Sequence, residues 1–116
     1  MRKKIISRLN GVPITINKNY LALYSNKSFR KEKEEYIPEN LEVGRFYKFK
    51  LEGCQIFPIG KTITLAERLF ETMPIIKKDI EISPKPLARI QITNANQYQL
   101  AGNLYTSGEY YIKKVL

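Results

Sequence analysis

Apolar and polar residues alternate with a period of two over much of this chain. Val12, Ile14 and Ile16 alternate with Pro13, Thr15 and Asn17, and Tyr47, Phe49 and Leu51 with Phe46, Lys48 and Lys50. That period sends successive side chains to opposite faces of a strand, one for the core and one for solvent. Residues 3–9 and 12–17 flank Asn10-Gly11, a dipeptide that supplies the positive φ values of a tight hairpin turn. A hairpin over 3–17 follows, with Pro13 on an outer edge because proline has no ladder donor. Residues 20–25 read as a third strand and 45–51 as the strongest one. Gly53 offers a turn, after which 54–59 returns as a short strand. Residues 75–83, 87–93, 98–100 and 109–116 supply the rest, separated by Pro84-Lys85-Pro86, Asn94-Ala95-Asn96 and Ser107-Gly108.

One segment departs from this rhythm. Thr64-Leu65-Ala66-Glu67 fits a capping box, and Leu65, Ala66, Leu69, Phe70 and Met73 then form a helical stripe that Pro74 ends. The spacing predicts a short helix at about 65–73. Residues 26–44, with the mixed-charge run Arg30-Lys31-Glu32-Lys33-Glu34-Glu35, read as an exposed charged loop with one helical turn. The expected fold is mainly β (α+β), one domain over 1–116, forming a small barrel or strongly curved antiparallel sheet with one helix. A helix between two groups of strands resembles the oligonucleotide-binding barrel in topology only; no sequence motif accompanies the likeness.

Composition adds a charge argument. The chain has 116 residues, a net charge of +9 and one cysteine. Residues 1–31 hold eight Lys or Arg and no acid, while the other 85 residues hold twelve bases and eleven acids. A field of one sign attracts a polyanion. No apolar run is long enough for a membrane-spanning helix. Ile5-Ile6 is followed by Ser7 and Arg8 rather than a long apolar stretch, so the basic N-terminus reads as folded protein and not as a signal. A single cysteine makes no intramolecular disulfide and suits a reducing, cytoplasmic setting.

Catalytic chemistry finds little footing. The chain has no histidine, which removes the commonest general base and the usual zinc sets. Cys54 reads as a small core residue. Gly60-Lys61-Thr62 ends like a phosphate-binding loop, but the glycine required five positions earlier is Gln55. Asp79 and Glu81 would share a strand face and could hold a divalent metal, yet Ser83 stands where a nuclease usually has lysine. The expectation is a non-catalytic protein with no cofactor and no metal.

Binding single-stranded nucleic acid needs cations along phosphates and flat rings under bases. Phe46, Lys48 and Lys50 offer both on one strand face. Tyr111 and Lys113 do so near the C-terminus, Arg45 begins the strand of Phe46, Arg89 lies on the 87–93 strand, and Lys3, Lys4 and Arg8 extend the basic path along the first hairpin. Roughly four to six neutralised phosphates would give a slope of log affinity against log salt of about −3 to −4. The expected function is therefore binding of single-stranded DNA or RNA. The rival is a small protein-interaction module, such as an accessory or anti-host factor of a virus or mobile element, docking on an acidic or nucleoprotein partner. Membrane binding is not expected without a basic amphipathic helix. Exposed β-edges leave room for a homodimer.

Overall fold

The computed structural model describes residues 19–25 and 32–116 in full, and residues 5–9 and 12–16 as strand backbone. Eight strands run β1 Ile5–Leu9, β2 Val12–Ile16, β3 Tyr20–Tyr24, β4 Phe46–Glu52, β5 Cys54–Gln55, β6 Thr62–Met73, β7 Lys78–Leu100 and β8 Asn103–Val115. They form a three-stranded sheet in the order β1-β2-β5 and a mixed five-stranded sheet in the order β3-β6-β7-β8-β4. β3 runs parallel to β6, and the other pairs of the larger sheet are antiparallel. The fold is mainly β, as the alternation predicts. The larger sheet is mixed rather than antiparallel, and it is not closed, with β3 and β4 as its edges.

The predicted helix at 65–73 is strand. β6 lies between β3, which pairs with Thr64 to Arg68, and β7, which pairs along its whole length. The apparent helical stripe comes from two irregularities in the β6–β7 ladder, between Leu65 and Ala66 and between Glu67 and Leu69. The stripe residues in fact lie on both faces of the strand: Leu65 enters the core, Leu69 and Met73 share one face beyond the second irregularity, and Phe70 lies on the other. Pairing on both sides up to Arg68, and with β7 alone beyond it, outweighs a weak local preference. The likeness to the oligonucleotide-binding barrel rested on that helix and goes with it. The separators at 84–86 and 94–96 likewise lie inside one continuous strand, β7, and Ser107-Gly108 lies inside β8.

The first hairpin pairs as the sequence predicts, with Leu9 opposite Val12; its Asn10-Gly11 turn, and Lys3 and Lys4, lie outside the described residues. β2 is the middle strand of its sheet rather than an edge. β5 borders it in parallel at Ile14 and Thr15 only, so Pro13 meets β1 alone. The two sheets join at Thr106. Its buried hydroxyl donates to the Gly53 carbonyl at 2.9 Å and accepts from the Gln55 amide at 2.9 Å.

One hydrophobic cluster holds the larger sheet. Leu21 and Leu23 of β3, Ile63 and Leu65 of β6, Ala88, Ile90 and Ile92 of β7, Tyr110 and Ile112 of β8, and Phe49 and Leu51 of β4 all belong to it. Ile37 and Phe57 from connecting segments complete it. Residues of both edge strands, Ala22 and Tyr24 of β3 and Leu51 and Glu52 of β4, line one depression, so the sheet curls its edges towards each other. Cys54 is buried, as expected of a core residue. The expected exposed loop 26–44 is, from Glu32 onward, partly packed: a 3₁₀ turn spans Lys33–Glu35, Glu35 and Ile37 are buried, and Tyr36 bridges to Tyr24. This segment crosses from the β3 edge towards β4, where Glu32 meets Lys50.

Candidate nucleic-acid interface

The core takes Phe49, Tyr110 and Ile92, so the intervening residues of β4, β8 and β7 face outward. Ladder register arranges them in rows. Phe46 lies opposite Tyr111, with Gln91 beyond; Lys48 lies opposite Glu109, with Asn94 beyond; Lys50 lies opposite Ser107, with Asn96 beyond; Glu52 lies opposite Tyr105, with Tyr98 beyond. The Phe46 and Tyr111 rings are tilted with centroids 5.0 Å apart, and Phe46 remains 53% exposed. At the far end the Tyr98 and Tyr105 rings stack at 5.6 Å. Two aromatic pairs thus bracket the middle rows.

The cations predicted for this face divide into two groups. Lys50 is not available for phosphate. Its Nζ donates to Glu32 Oε2 at 2.8 Å and stands 4.6 Å from the Tyr105 ring centre, with little of the side chain exposed. The Glu32 hydrogen bond raises the Lys50 ammonium above its ordinary range, against the opposing effect of burial. Arg45 Nη1 likewise donates to Glu42 Oε2 at 2.6 Å, which raises the already high guanidinium value. Lys48 is exposed, next to the row of Phe46 and Tyr111. On the other side of that row lie Arg89 and Lys113, both exposed. Lys113 is the extra residue of a β8 bulge, and Arg89 Nη1 donates to Thr64 Oγ1 at 3.0 Å. A bulge turns its extra side chain away from the regular rows. Register therefore gathers Phe46, Tyr111, Lys48 and Arg89 on adjoining rows, with Lys114 opposite Arg89 and Lys113 on the bulge beside it, while Lys50 and Arg45 are held in ion pairs. Arg8 has a backbone place in β1, and its side chain lies outside the described residues.

Two depressions adjoin the patch. One of about 400 Å³ lies over the middle rows and includes Asn94, Asn96 and Tyr98, together with the acids Glu32, Glu34 and Glu109. A larger one of about 880 Å³ lies beside Arg45, Phe46 and Lys48, under the 33–40 segment. Asn94 and Asn96, which the sequence offers as turn residues, are strand residues in line with Tyr98. Their spacing of two is the strand signal that would have found them. Glu32 could not be found this way, because it meets Lys50 across eighteen residues of sequence.

The carboxylates read as a metal pair have other work. Asp79 accepts from Thr72 Oγ1 at 2.6 Å, and Glu81 accepts from Arg68 Nε and Nη2 at 2.7 and 2.9 Å. Gly60-Lys61 leads into strand β6 rather than a helix, so the residues resembling a phosphate loop lack the helix N-terminus such a loop uses. Comparison of the chain with protein-family models, with curated proteins and with solved structures finds no match.

Proposed function

We propose that this protein binds single-stranded nucleic acid on the outer face of β4, β8 and β7, without catalysis. The observation that carries this reading is the Phe46–Tyr111 pair, its Phe46 ring exposed and its Tyr111 ring half-buried, with Lys48 on one side and Arg89 and Lys113 on the other. Bases stack on the rings and the flanking cations follow the phosphates, a combination that tolerates any sequence. The acid-free residues 1–31 add attraction at longer range.

The ion pairs at Lys50 and Arg45 lower the expected phosphate count. Three sheet cations give a slope of log affinity against log salt of about −2. A slope of about −3 to −4 means that the N-terminal bases also engage. Fluorescence anisotropy with labelled single-stranded and duplex oligonucleotides at two salt concentrations measures this directly. Phe46→Ala is expected to weaken single-strand binding by about tenfold, in line with ~1–3 kcal/mol per stacked base. No binding at low salt, or an affinity indifferent to salt, removes the proposal.

A further inference from the structure

The β6–β7 hairpin runs well past the rest of its sheet. The β3 ladder stops at Arg68 and the β8 ladder begins at Ala88, so among the described residues Leu69–Met73 and Lys78–Ile82 pair only with each other. Register sorts this ribbon into two unlike faces. One carries Phe70, Thr72, Asp79 and Glu81, and it is occupied: Thr72 donates to Asp79, Arg68 to Glu81, and the Phe70 ring stacks with Tyr24 at 6.2 Å. The other carries Leu69 with Ile82, Glu71 with Ile80, and Met73 with Lys78. Met73, Ile80 and Ile82 are exposed there, and the turn adds Ile75 at 95% exposure and Ile76 at 59%. The turn is held by the Lys77 amide donating to the Met73 carbonyl at 2.8 Å. A two-stranded ribbon with an open apolar face is marginal in water and invites a cover.

We infer that this face is covered by the same face of a second copy of the chain, packed antiparallel about a two-fold axis. The charges on the ribbon select that occupant. From Leu69 to Ile82 it carries three acids and two bases, a net of −1 in a chain of +9. Neither a nucleic acid nor an anionic bilayer is drawn to it. On the apolar face itself there is one acid, Glu71, and one base, Lys78, in adjacent rows. Antiparallel stacking lays the Glu71 row over the Lys78 row of the partner, and by symmetry the reverse. It also lays the Ile75-Ile76 tip of each copy over the Leu69–Ile82 row of the other. Rows two residues apart are about 7 Å along the strand, and sheets stack about 10 Å apart, so four rows match four with neither end uncovered. Such an interface is isologous and closes at two copies. It is smaller than a standard protein interface, which sets the expected dissociation constant in the range of about 10–100 μM.

Sedimentation velocity of the full chain over about 5–500 μM tests this. A reversible monomer–dimer equilibrium is expected. Ile75→Ser with Ile76→Ser, at exposed turn positions outside the hydrophobic core, is expected to weaken it at least about tenfold. Glu71→Lys alone is expected to weaken it comparably, because like charges then face each other. Combining Glu71→Lys with Lys78→Glu is expected to restore affinity to within about threefold of the original. A chain that stays monomeric across the range overturns the inference, as does a dimer that ignores the tip variant or a charge exchange that does not restore. So does a monomer whose tip variant loses binding to oligonucleotides or to anionic vesicles, which would assign the tip to a polyanion. The inference is independent of the nucleic-acid reading: Phe46→Ala leaves the dimer unchanged, and the ribbon variants leave oligonucleotide affinity unchanged.

Discussion

Gly108 and Tyr110 lie in adjoining turns of the β8 pleat, one without a side chain and one with a large buried one. A Cβ at Gly108 would collide with the Asn94 carbonyl oxygen and come within 2.9 Å of the Phe49 ring. Backbone on one side and a core ring on the other leave nothing that can move cheaply. Gly108→Ala is expected to cost about 3 kcal/mol in urea unfolding, while other alanine changes on the exposed face cost little. Tyr110 is fully buried between Tyr47 and Phe49, and its hydroxyl has no hydrogen-bond partner among the described residues. Burial, followed by the neighbouring Tyr47, raises its phenol well above the usual 10.0. The unfolded chain then releases this proton first, so stability is complete below pH ~10 and falls as pH rises beyond it. One unit above that point the loss is about 1.4 kcal/mol. Tyr110→Phe is expected to change stability at pH 7 by less than about 1 kcal/mol and to remove this alkaline loss. Urea unfolding of both proteins at pH 7 and pH 11 checks the sign.

At the scale of elements, β7 is one strand with two characters. Between Ala88 and Ile92 it has β6 on one side and β8 on the other and feeds the core; between Lys78 and Ile82 it has β6 alone and is exposed. Amide exchange measured below the association range is expected to divide it accordingly. Ile90 and Ile92 should be protected orders of magnitude longer than Asp79 to Glu81. The same strand explains what could and could not be read in advance. The first hairpin, β3 and β4 were legible because each keeps a clean period of two between turn residues. β6 and β7 were not, because bulges near Ala66 and Pro84 break the period, and a broken period of two imitates one near four. The aromatic–lysine face of β4 was legible for the same reason as β4 itself. The loss of Lys50 to Glu32 was not, because ion pairing across distant segments leaves no trace in local spacing.

At the scale of the molecule, the outer face of β4, β8 and β7 and the distal ribbon differ in charge. The face carries Lys48, Arg89 and Lys113, while the ribbon from Leu69 to Ile82 is slightly negative and exposes Met73, Ile75, Ile76, Ile80 and Ile82. If both proposals hold, the surface offered to a polyanion and the surface offered to a second copy are different ones, and occupancy of one is expected to leave the other free. The ladder order has a further consequence, for the birth of the molecule. Among the described residues β4 has its ladder partner in β8, and β3 has its own in β6, so both edges are made long before the strands that hold them. A nascent chain leaving the ribosome can complete the β6–β7 ribbon by itself. Phe49 and Leu51 must wait for Tyr110 and Ile112, so β4 stays without its ladder until β8 has been made.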